Sequence, residues 1–297
     1  MQKRQVIITG SRGKIGKYLV NYFSNIDGYE VIKDSDDTGR LDLTDRDTCE
    51  QLIHKSKNNK NTFIIHCAFK NVRNHKDFTE KDYYDSMNMF DNMFGRRENR
   101  SFINIGSWAV FFDILTEDHR PNYYSLAKKH ISLHLIKQYK KRSFFSKMFS
   151  KDGTVHDLIV SGAFDPSEDD NRFFKSIIKS LLKTNICTIK EDLTYGFISY
   201  NHLAKYIQHI IENNVNSKTH NCFYETRLLS EYAKIVIDLL GGDEKMCINL
   251  RRLYDTEQIN SFDIHCINNR KRIYFEGESL EQELTKYIEE IKKELNE

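Results

Sequence analysis

A serine, a tyrosine and a lysine in the first half of the chain have the types and spacing needed for proton transfer. Tyr124 and Lys128 form a Y-x-x-x-K pair, which on a helix puts both side chains on one face, one turn apart. An ammonium group at that distance lowers the pKa of a phenol, so that the phenol exchanges a proton near neutral pH. Ser107 ends a preceding apolar stretch, where its hydroxyl can hydrogen-bond a reacting oxygen. Because the chain has 16 tyrosines, the pair alone is a weak signal and needs supporting elements.

Three closely spaced glycines near the N-terminus indicate a binding site for phosphate. The segment TGSRGKIG (residues 9–16) follows an apolar, strand-like stretch and precedes an amphipathic one. A strand that leads into a helix N-terminus exposes unpaired backbone N–H groups, and glycines let a phosphate approach them closely. The predicted dinucleotide-binding turn consists of Gly10, Ser11, Arg12, Gly13, Lys14, Ile15 and Gly16.

Charged residues beyond this turn bear on the choice of dinucleotide. Asp34 lies eighteen residues past Gly16, at the end of the second predicted strand, where a carboxylate can accept hydrogen bonds from the adenosine ribose. Asp42 ends the next short strand and is placed for the adenine edge. Asp34 favours NAD because it would repel a 2′-phosphate, whereas Arg12 or Arg40 could pair with that phosphate in NADP. The expected cofactor is therefore NAD or NADP, with NAD slightly favoured.

Strand-like and helix-like segments alternate through the first half of the chain. Their strands are continuously apolar, which indicates a parallel sheet covered by helices on both faces. The predicted strands are QVIITG, EVIKD, TFIIHCA, SFINIGS and HDLIVSG, and the predicted helices span 14–25, 44–56, 79–95 and 122–141. Thr44 with Asp47 predicts an N-terminal cap for the second of these helices. The fold class is thus α/β, a Rossmann-type doubly wound parallel sheet.

The regular alternation of strand-like and helix-like segments ends near residue 163. The segments that follow predict a smaller C-terminal α+β substrate lobe. We expect an NAD(P)-binding domain over 1–162, to which 187–213 returns in part, and a mainly substrate-binding lobe over 163–297. The last helix is capped by Ser279 and Gln282. Its predicted apolar stripe consists of Leu280, Leu284, Ile288, Ile291 and Leu295.

The bulk properties exclude several classes of partner. A net charge of +2 gives no reason to expect nucleic acid or an acidic membrane surface. No apolar run approaches the roughly 20 residues of a membrane span, and no signal-peptide core precedes the first strand. The six cysteines are scattered without zinc-site spacing, so we expect free thiols, no metal and a cytoplasmic location.

Taken in chain order, these motifs resemble the extended branch of the short-chain dehydrogenase/reductase superfamily, the NAD-dependent epimerase/dehydratase family that modifies nucleotide sugars. The resemblance covers nearly the whole chain. It is carried by TGSRGKIG, DLTD (42–45), HCA (66–68), Ser107 with Tyr124 and Lys128, TEDHRPNYYSLAK, IVSGAFDPSEDDNRFF and FISYNHLAKYI.

The resemblance implies a role for each motif. Tyr124 would be the general acid/base at a sugar C4 oxygen, Lys128 would hold the nicotinamide ribose and tune Tyr124, and Ser107 would orient the carbonyl. The segments expected beside the cofactor are Asp42-Leu43 and His66-Cys67-Ala68, the latter mainly through backbone. His66 is alternatively a packed strand-end histidine. Asn88 is either a buried group that supports the site or an exposed one.

Two departures from the family narrow the expected reaction. Ser107-Trp108-Ala109 replaces the Thr-Asp-Glu run of dehydratases, and Ala109 replaces the cysteine of the 3,5-epimerase/reductase. What remains is reduction of a 4-keto sugar nucleotide, as in the dTDP-4-dehydrorhamnose reductase type, or C4 epimerisation, as in the UDP-glucose 4-epimerase type. The short chain and compact second lobe resemble the reductases more, so reduction is favoured. A non-catalytic NAD(P)-binding sensor is a third alternative, disfavoured because Ser107, Tyr124 and Lys128 are all present.

A nucleotide-diphosphate sugar is the expected substrate. Its candidate contacts are Ser107, Trp108, Asn171, Arg172, Arg251 and Arg252. The resemblance also implies a homodimer formed through helices 79–95 and 122–141. A composition rich in Lys, Asn and Ile and poor in proline suggests bacterial polysaccharide biosynthesis.

Overall fold

The structure is a computed structural model that describes residues 3–36, 39–57, 59, 61–70, 77–111, 121–149, 153–243, 247–249 and 278–296. Arg251, Arg252 and Cys266, which the sequence analysis names, lie outside the described residues. The chain divides into two compact units. One comprises Met1–Ile159 with Ile207–Asn221, and the other Val160–Tyr206 with Cys222–Glu297. The segment that returns to the first unit is thus 207–221.

Thirteen strands are found within the described residues, and each predicted strand of the first half is among them. They are β1 (Arg4–Thr9), β2 (Tyr29–Lys33), β3 (Ser35–Asp36), β4 (Gly39–Arg40), β5 (Thr62–His66), β6 (Ser101–Ser107), β7 (Val155–Val160), β8 (Gly162–Phe164), β9 (Cys187–Ile189), β10 (Thr194–Ser199), β11 (Lys218–Cys222), β12 (Thr226–Leu228) and β13 (Cys247–Asn249).

The same part of the chain contains eight α-helices. They are α1 (Lys14–Ser24), α2 (Arg46–His54), α3 (Glu80–Gly95), α4 (Tyr123–Phe149), α5 (Phe173–Thr184), α6 (Tyr200–Glu212), α7 (Leu229–Leu239) and α8 (Leu280–Asn296). Helix α4 extends eight residues beyond its predicted end. None of these helices is long and apolar enough to cross a membrane, as judged over the described residues.

The main sheet has six strands in the order β11-β7-β6-β5-β1-β2. Strands β1, β2, β5 and β6 pair in parallel. The chain moves outward from β1 to β2 and then returns to β5 on the other side of β1. This reversal creates a crevice beyond the carboxyl ends of β1 and β5, where ligands bind in doubly wound folds. The prediction of a Rossmann-type sheet is confirmed.

Apolar residues on one face of this sheet form a core with α2, α3 and α4. It includes Ile7 and Ile64 from the strands, Phe90 and Phe94 from α3, and Ile131 from α4. All five are buried. At about 25 cal/mol per Å² of apolar surface, side chains of this size each contribute roughly 1.5–3 kcal/mol on burial, which makes the strand ends a rigid support.

The second unit contains two of the three smaller sheets, and the third, β3 with β4, lies in the first unit. Strand β10 pairs in parallel with β8 and antiparallel with β12, and β9 pairs with β13. The predicted stripe of α8 packs into the core of this unit, with Leu295 partly buried and the other four residues buried. The cap of α8 is confirmed, because Ser279 donates its backbone N–H to Gln282 Oε1 at 2.8 Å and Gln282 donates its own to Ser279 Oγ.

The predicted cap of α2 is wrong by one residue. Asp45, not Thr44, precedes the helix, and its carboxylate accepts the Thr48 backbone N–H at 2.9 Å. Thr44 is occupied elsewhere, because its backbone N–H and hydroxyl both donate to Asp42 Oδ1. This local turn delays the start of the helix.

Two buried histidines on neighbouring strands make the stability of the first unit sensitive to acid. His156 in β7 and His220 in β11 share a hydrogen bond of 2.9 Å, and both are almost fully buried. Burial lowers the pKa of His156 to about 3 and that of His220 to about 2. Below pH 6.5 the unfolded chain therefore binds protons that the folded imidazoles do not bind.

We predict that the free energy of unfolding falls as the pH drops from 6.5 to 5, with a slope that approaches about 1.4 kcal/mol per pH unit for each of these histidines near pH 5. Urea unfolding of His156→Gln should show a shallower dependence. His54→Gln is the control, because His54 is 72% exposed and its replacement should leave the dependence unchanged. Equal slopes for the wild type and His156→Gln would contradict the prediction.

Candidate active site

The glycine turn is possible only because two backbone segments approach each other without side chains. Gly10 has φ +67°, and a Cβ there would lie 2.7 Å from the backbone N of Ala68. A Cβ on Gly16 would overlap the carbonyl oxygen of Gly10. The end of β1 therefore lies directly against the chain that leaves β5, and α1 starts close beside both.

A buried carboxylate holds this turn in place. Asp34 is fully buried and accepts hydrogen bonds from the backbone N–H of Gly10 at 2.7 Å and of Ser11 at 2.9 Å. The Ser11 hydroxyl also donates to it, at 2.5 Å. The structure thus gives Asp34 a different role from the predicted one. Both carboxylate oxygens hold the turn and the residue has no exposed surface, so it does not reach the adenosine ribose in this geometry.

The N-terminal end of α1 has the properties of an anion site. At the start of α1 the backbone N–H of Lys17 donates to the carbonyl oxygen of Gly13 at 2.7 Å. The N-terminus of a helix in general carries a partial positive charge from its first backbone N–H groups. The first turn contains no acidic residue, and Arg12, Gly13 and Lys14 are exposed. These features fit the pyrophosphate of a dinucleotide.

The segment predicted to contact the adenosine is anchored from α3. Leu43 is buried in the core, so its side chain does not face a ligand. Asn92 donates to the carbonyl oxygens of Leu43 at 3.2 Å and Thr44 at 2.9 Å. Asp42 is exposed, and hydrogen bonds from Thr44 hold its pKa below the usual range. Sequence reasoning did not find Asn92, since nothing local connects it to the loop that it supports.

His66 in the structure is a packed strand-end histidine. Its side chain is 2% exposed, and Nδ1 shares a hydrogen bond of 2.9 Å with Thr9 Oγ1. The ring packs against Phe90 and Phe102. Burial, and to a smaller extent the charge of Lys128, lower the pKa of His66 to about 3, so it is neutral at neutral pH. The neighbouring backbone of Cys67 and Ala68 borders Gly10, as described above.

The structure brings Ser107, Tyr124 and Lys128 together in the first unit. Ser107 is the last residue of β6, and the other two lie one turn apart near the start of α4. The Tyr124 hydroxyl lies 3.5 Å from Ser107 Oγ. Ser107 Oγ also accepts the backbone N–H of Ala109 at 3.2 Å, which orients it. Three residues from two distant segments thus form one cluster at the end of a buried strand.

Aromatic rings hold the tyrosine and the lysine of this cluster. The Tyr124 ring meets Phe69 and Phe78 edge-on, with centroids 5.5 and 5.6 Å apart. Lys128 Nζ lies 3.8 Å from the Phe69 ring centroid, a cation–π distance. Burial lowers the pKa of Lys128 to about 8. Phe69 was missed by the sequence analysis, although it directly follows the H-C-A segment.

One alternative is decided and one prediction needs correction. Asn88 is exposed, which is one of the two alternatives stated for it, and the fully buried Ser86 of the same helix accepts the Lys70 backbone N–H at its Oγ at 3.2 Å. Trp108 is 6% exposed, so its indole is part of the interior and is not presented to a substrate. It begins the short 3-10 turn that follows β6.

The predicted diphosphate contacts belong to the second unit. Asn171 is exposed, and Arg172 is the N-cap residue of α5. Arg172 Nε lies 3.7 Å from a carboxylate oxygen of Glu168. Their contact with substrate stays a prediction. The five described cysteines are free thiols, and the described residues contain no group of three or more potential metal ligands.

Residues 6–222 match the model of the NAD dependent epimerase/dehydratase family. No curated protein sequence is similar enough to count as a relative. Solved structures do share the fold over almost the whole chain. RMD from Pseudomonas aeruginosa, complexed with NADPH, is 14% identical with a TM-score of 0.68 and covers 98% of this chain and 100% of its own.

Two other structures are comparable. A GDP-L-fucose synthetase from Naegleria fowleri bound to NADP is 14% identical, with a TM-score of 0.68 over 100% of this chain and 95% of its own. A UDP-N-acetylglucosamine 4-epimerase from Methanobrevibacter ruminantium in complex with UDP-N-acetylmuramic acid is 17% identical, with a TM-score of 0.66 over 99% and 100%. At these identities the comparison establishes the fold and not the reaction.

We predict that Asp34→Asn lowers the free energy of unfolding by about 1–3 kcal/mol, because an amide cannot accept all the hydrogen bonds that the carboxylate accepts. Asp42→Asn is the control, since Asp42 is exposed and bonds only within its own turn in the described structure, and its loss should stay within about 0.5 kcal/mol. Urea unfolding without ligand measures both. Equal losses would show that Asp34 does not clamp the turn.

Proposed function

The chain belongs to the NAD-dependent epimerase/dehydratase family, and on that premise we propose that it reduces a 4-keto sugar nucleotide by hydride transfer. The family consists of NAD(P)-dependent enzymes of the short-chain dehydrogenase/reductase type that act on nucleotide sugars. The observation that carries the proposal is the cluster of Ser107, Tyr124 and Lys128 with no carboxylate or thiol in the turn after Ser107. Water elimination and epimerisation beside a carbonyl both need such a second group.

Each residue of the cluster has a distinct task in this reaction. The bound nicotinamide cofactor supplies the hydride that goes to the C4 carbon. Tyr124 gives its hydroxyl proton to the C4 oxygen, which leaves the sugar with a C4 hydroxyl. Ser107 Oγ accepts the backbone N–H of Ala109, so its own proton is available to hydrogen-bond the same oxygen. The Lys128 ammonium favours the negative charge that Tyr124 then carries.

C4 epimerisation uses the same three residues, since it oxidises and re-reduces the same carbon. Its net reaction consumes no reduced cofactor, and this separates it from reduction. Tyr124 would transfer the proton in either reaction. In a sensor that only binds the dinucleotide, it would have no catalytic role. A homodimer, a cytoplasmic location and a role in polysaccharide biosynthesis remain predictions.

We predict that the protein oxidises NADPH or NADH when it is given 4-keto sugar nucleotides, and that Tyr124→Phe lowers kcat by about 10²–10⁴-fold because the proton donor is lost. Absorbance of the reduced nicotinamide measures the rate, and cofactor fluorescence measures binding, which should persist in the variant. Tyr123→Phe is the matched control on the same helix.

Three other outcomes have definite meanings. Interconversion of two sugar nucleotides without net cofactor oxidation would support the epimerase. Cofactor binding without turnover of any sugar nucleotide would support the sensor. A Tyr124→Phe variant as active as the wild type would contradict both enzymatic proposals.

For the cofactor, we propose NADP in place of the slightly favoured NAD. The preference for NAD rested on a carboxylate that faces the ribose, and Asp34 instead faces the glycine turn. Arg12 and Arg40 are both exposed, and neither has an ion pair among the described residues. A guanidinium is well suited to bind the 2′-phosphate of NADP.

We predict that Arg12→Ala together with Arg40→Ala raises KM for NADPH by about tenfold or more and changes KM for NADH little, because only the first cofactor carries the phosphate. Arg46→Ala, which removes another exposed arginine of the first unit, is the control and should alter neither value. A wild-type preference for NADH would restore the original prediction.

A further inference from the structure

A fully buried carboxylate on β7, the strand next to β6, lies against helix α4. Asp157 in β7 has no exposed surface. Its Oδ1 accepts from Asn104 Nδ2 at 2.7 Å, and its Oδ2 accepts from Ser132 Oγ at 2.5 Å. Both donors are neutral, so neither of these two hydrogen bonds brings a positive charge to the carboxylate. Burial of an ion is costly unless an opposite charge accompanies it.

The strand that ends in Ser107 is adapted to this carboxylate. Asn104 and Gly106 both lie on β6, two positions apart, and so point to the same face of the sheet. A Cβ on Gly106 would lie 2.7 Å from Asp157 Oδ1, too close for any real side chain. Asn104 thus donates to the carboxylate, and Gly106 leaves room for it.

The carboxylate reaches α4 one turn after Lys128. Ser132, which donates to Asp157, is four residues beyond Lys128 and therefore on the same face of the helix. Burial lowers the pKa of Lys128. The charge of Asp157 partly opposes this effect, because it favours the protonated amine. Buried opposite charges attract more strongly than the same charges in water.

We propose that Asp157 is a positioning residue of this enzyme, a buried counter-charge that keeps Lys128 protonated beside Tyr124. Its catalytic consequence rests on the proposed function, because Lys128 assists Tyr124 only if Tyr124 transfers a proton. The electrostatic interaction between the two side chains does not depend on which reaction the enzyme performs.

The titratable groups around Lys128 come from three elements. Tyr124 lies on its own helix, His66 and Cys67 lie at the end of β5, and Asp157 lies on β7. His66 is neutral above about pH 3, and burial raises the pKa of the Cys67 thiol. A change in the attraction between Asp157 and Lys128 near pH 8 therefore reports the amine losing its proton.

The test is a double-mutant cycle in the protein without cofactor, made of Asp157→Asn, Lys128→Met and the double variant. Urea unfolding at pH 6.5 should give a coupling of about tenfold or more in the unfolding equilibrium constant, within the usual range for residues that interact. The coupling should disappear above about pH 9.5, where the amine is neutral. A cycle with Ser132→Ala in place of Asp157→Asn is the matched control, and it should show no pH-dependent coupling.

A cycle that is additive, or whose coupling does not change with pH, would overturn the proposal and leave Asp157 as a structural hydrogen-bond acceptor. If Asp157→Asn does not fold, Asp157→Ser removes the charge and takes its place in the same cycle. In the reduction assay, Asp157→Asn should move the alkaline limb of kcat/KM to lower pH by about one unit. Because the cycle needs no substrate, failure of the proposed function would leave its outcome intact.

Discussion

The site depends on the close approach of two backbones at the carboxyl ends of β1 and β5. Gly10 lies against Ala68, and no side chain fits between them. The buried carboxylate of Asp34 keeps the turn in this position through the amides of Gly10 and Ser11. The features that a dinucleotide would meet depend on that geometry. They are the exposed first turn of α1, the crevice at the strand reversal, and the position of Phe69 shortly after the end of β5.

Around this turn the protein buries charged and titratable groups and gives each a specific partner. Asp34 accepts from amides, His66 stays neutral against Thr9, and Lys128 lies over an aromatic ring. In a medium of low dielectric constant these interactions are stronger than in water and need no reorganisation during a reaction. Each of these side chains is thus held in place by partners within the protein.

Sequence patterns were sufficient for the fold and for finding Ser107, Tyr124 and Lys128, which the structure brings together. Continuous apolar runs identified each strand of the main sheet in the first half of the chain, and Y-x-x-x-K located Tyr124 and Lys128 one helical turn apart. Errors arose where a side chain had two partners to choose from. Asp34 was expected to face the ribose and instead accepts from the turn, and Thr44 was expected to cap α2 and instead bonds Asp42.

What the sequence determined by itself is what depends on neighbours along the chain: strand and helix periods, the glycine turn, and the cap of α8. The tertiary structure alone decided the partners that are distant in sequence. Asn104, Ser132 and Asp157 meet only because β6, β7 and α4 pack together. Phe69 contacts Lys128 only because the segment after β5 packs against α4. Local patterns contain no record of these contacts, because the energy of a buried charge depends on which groups the whole fold places around it.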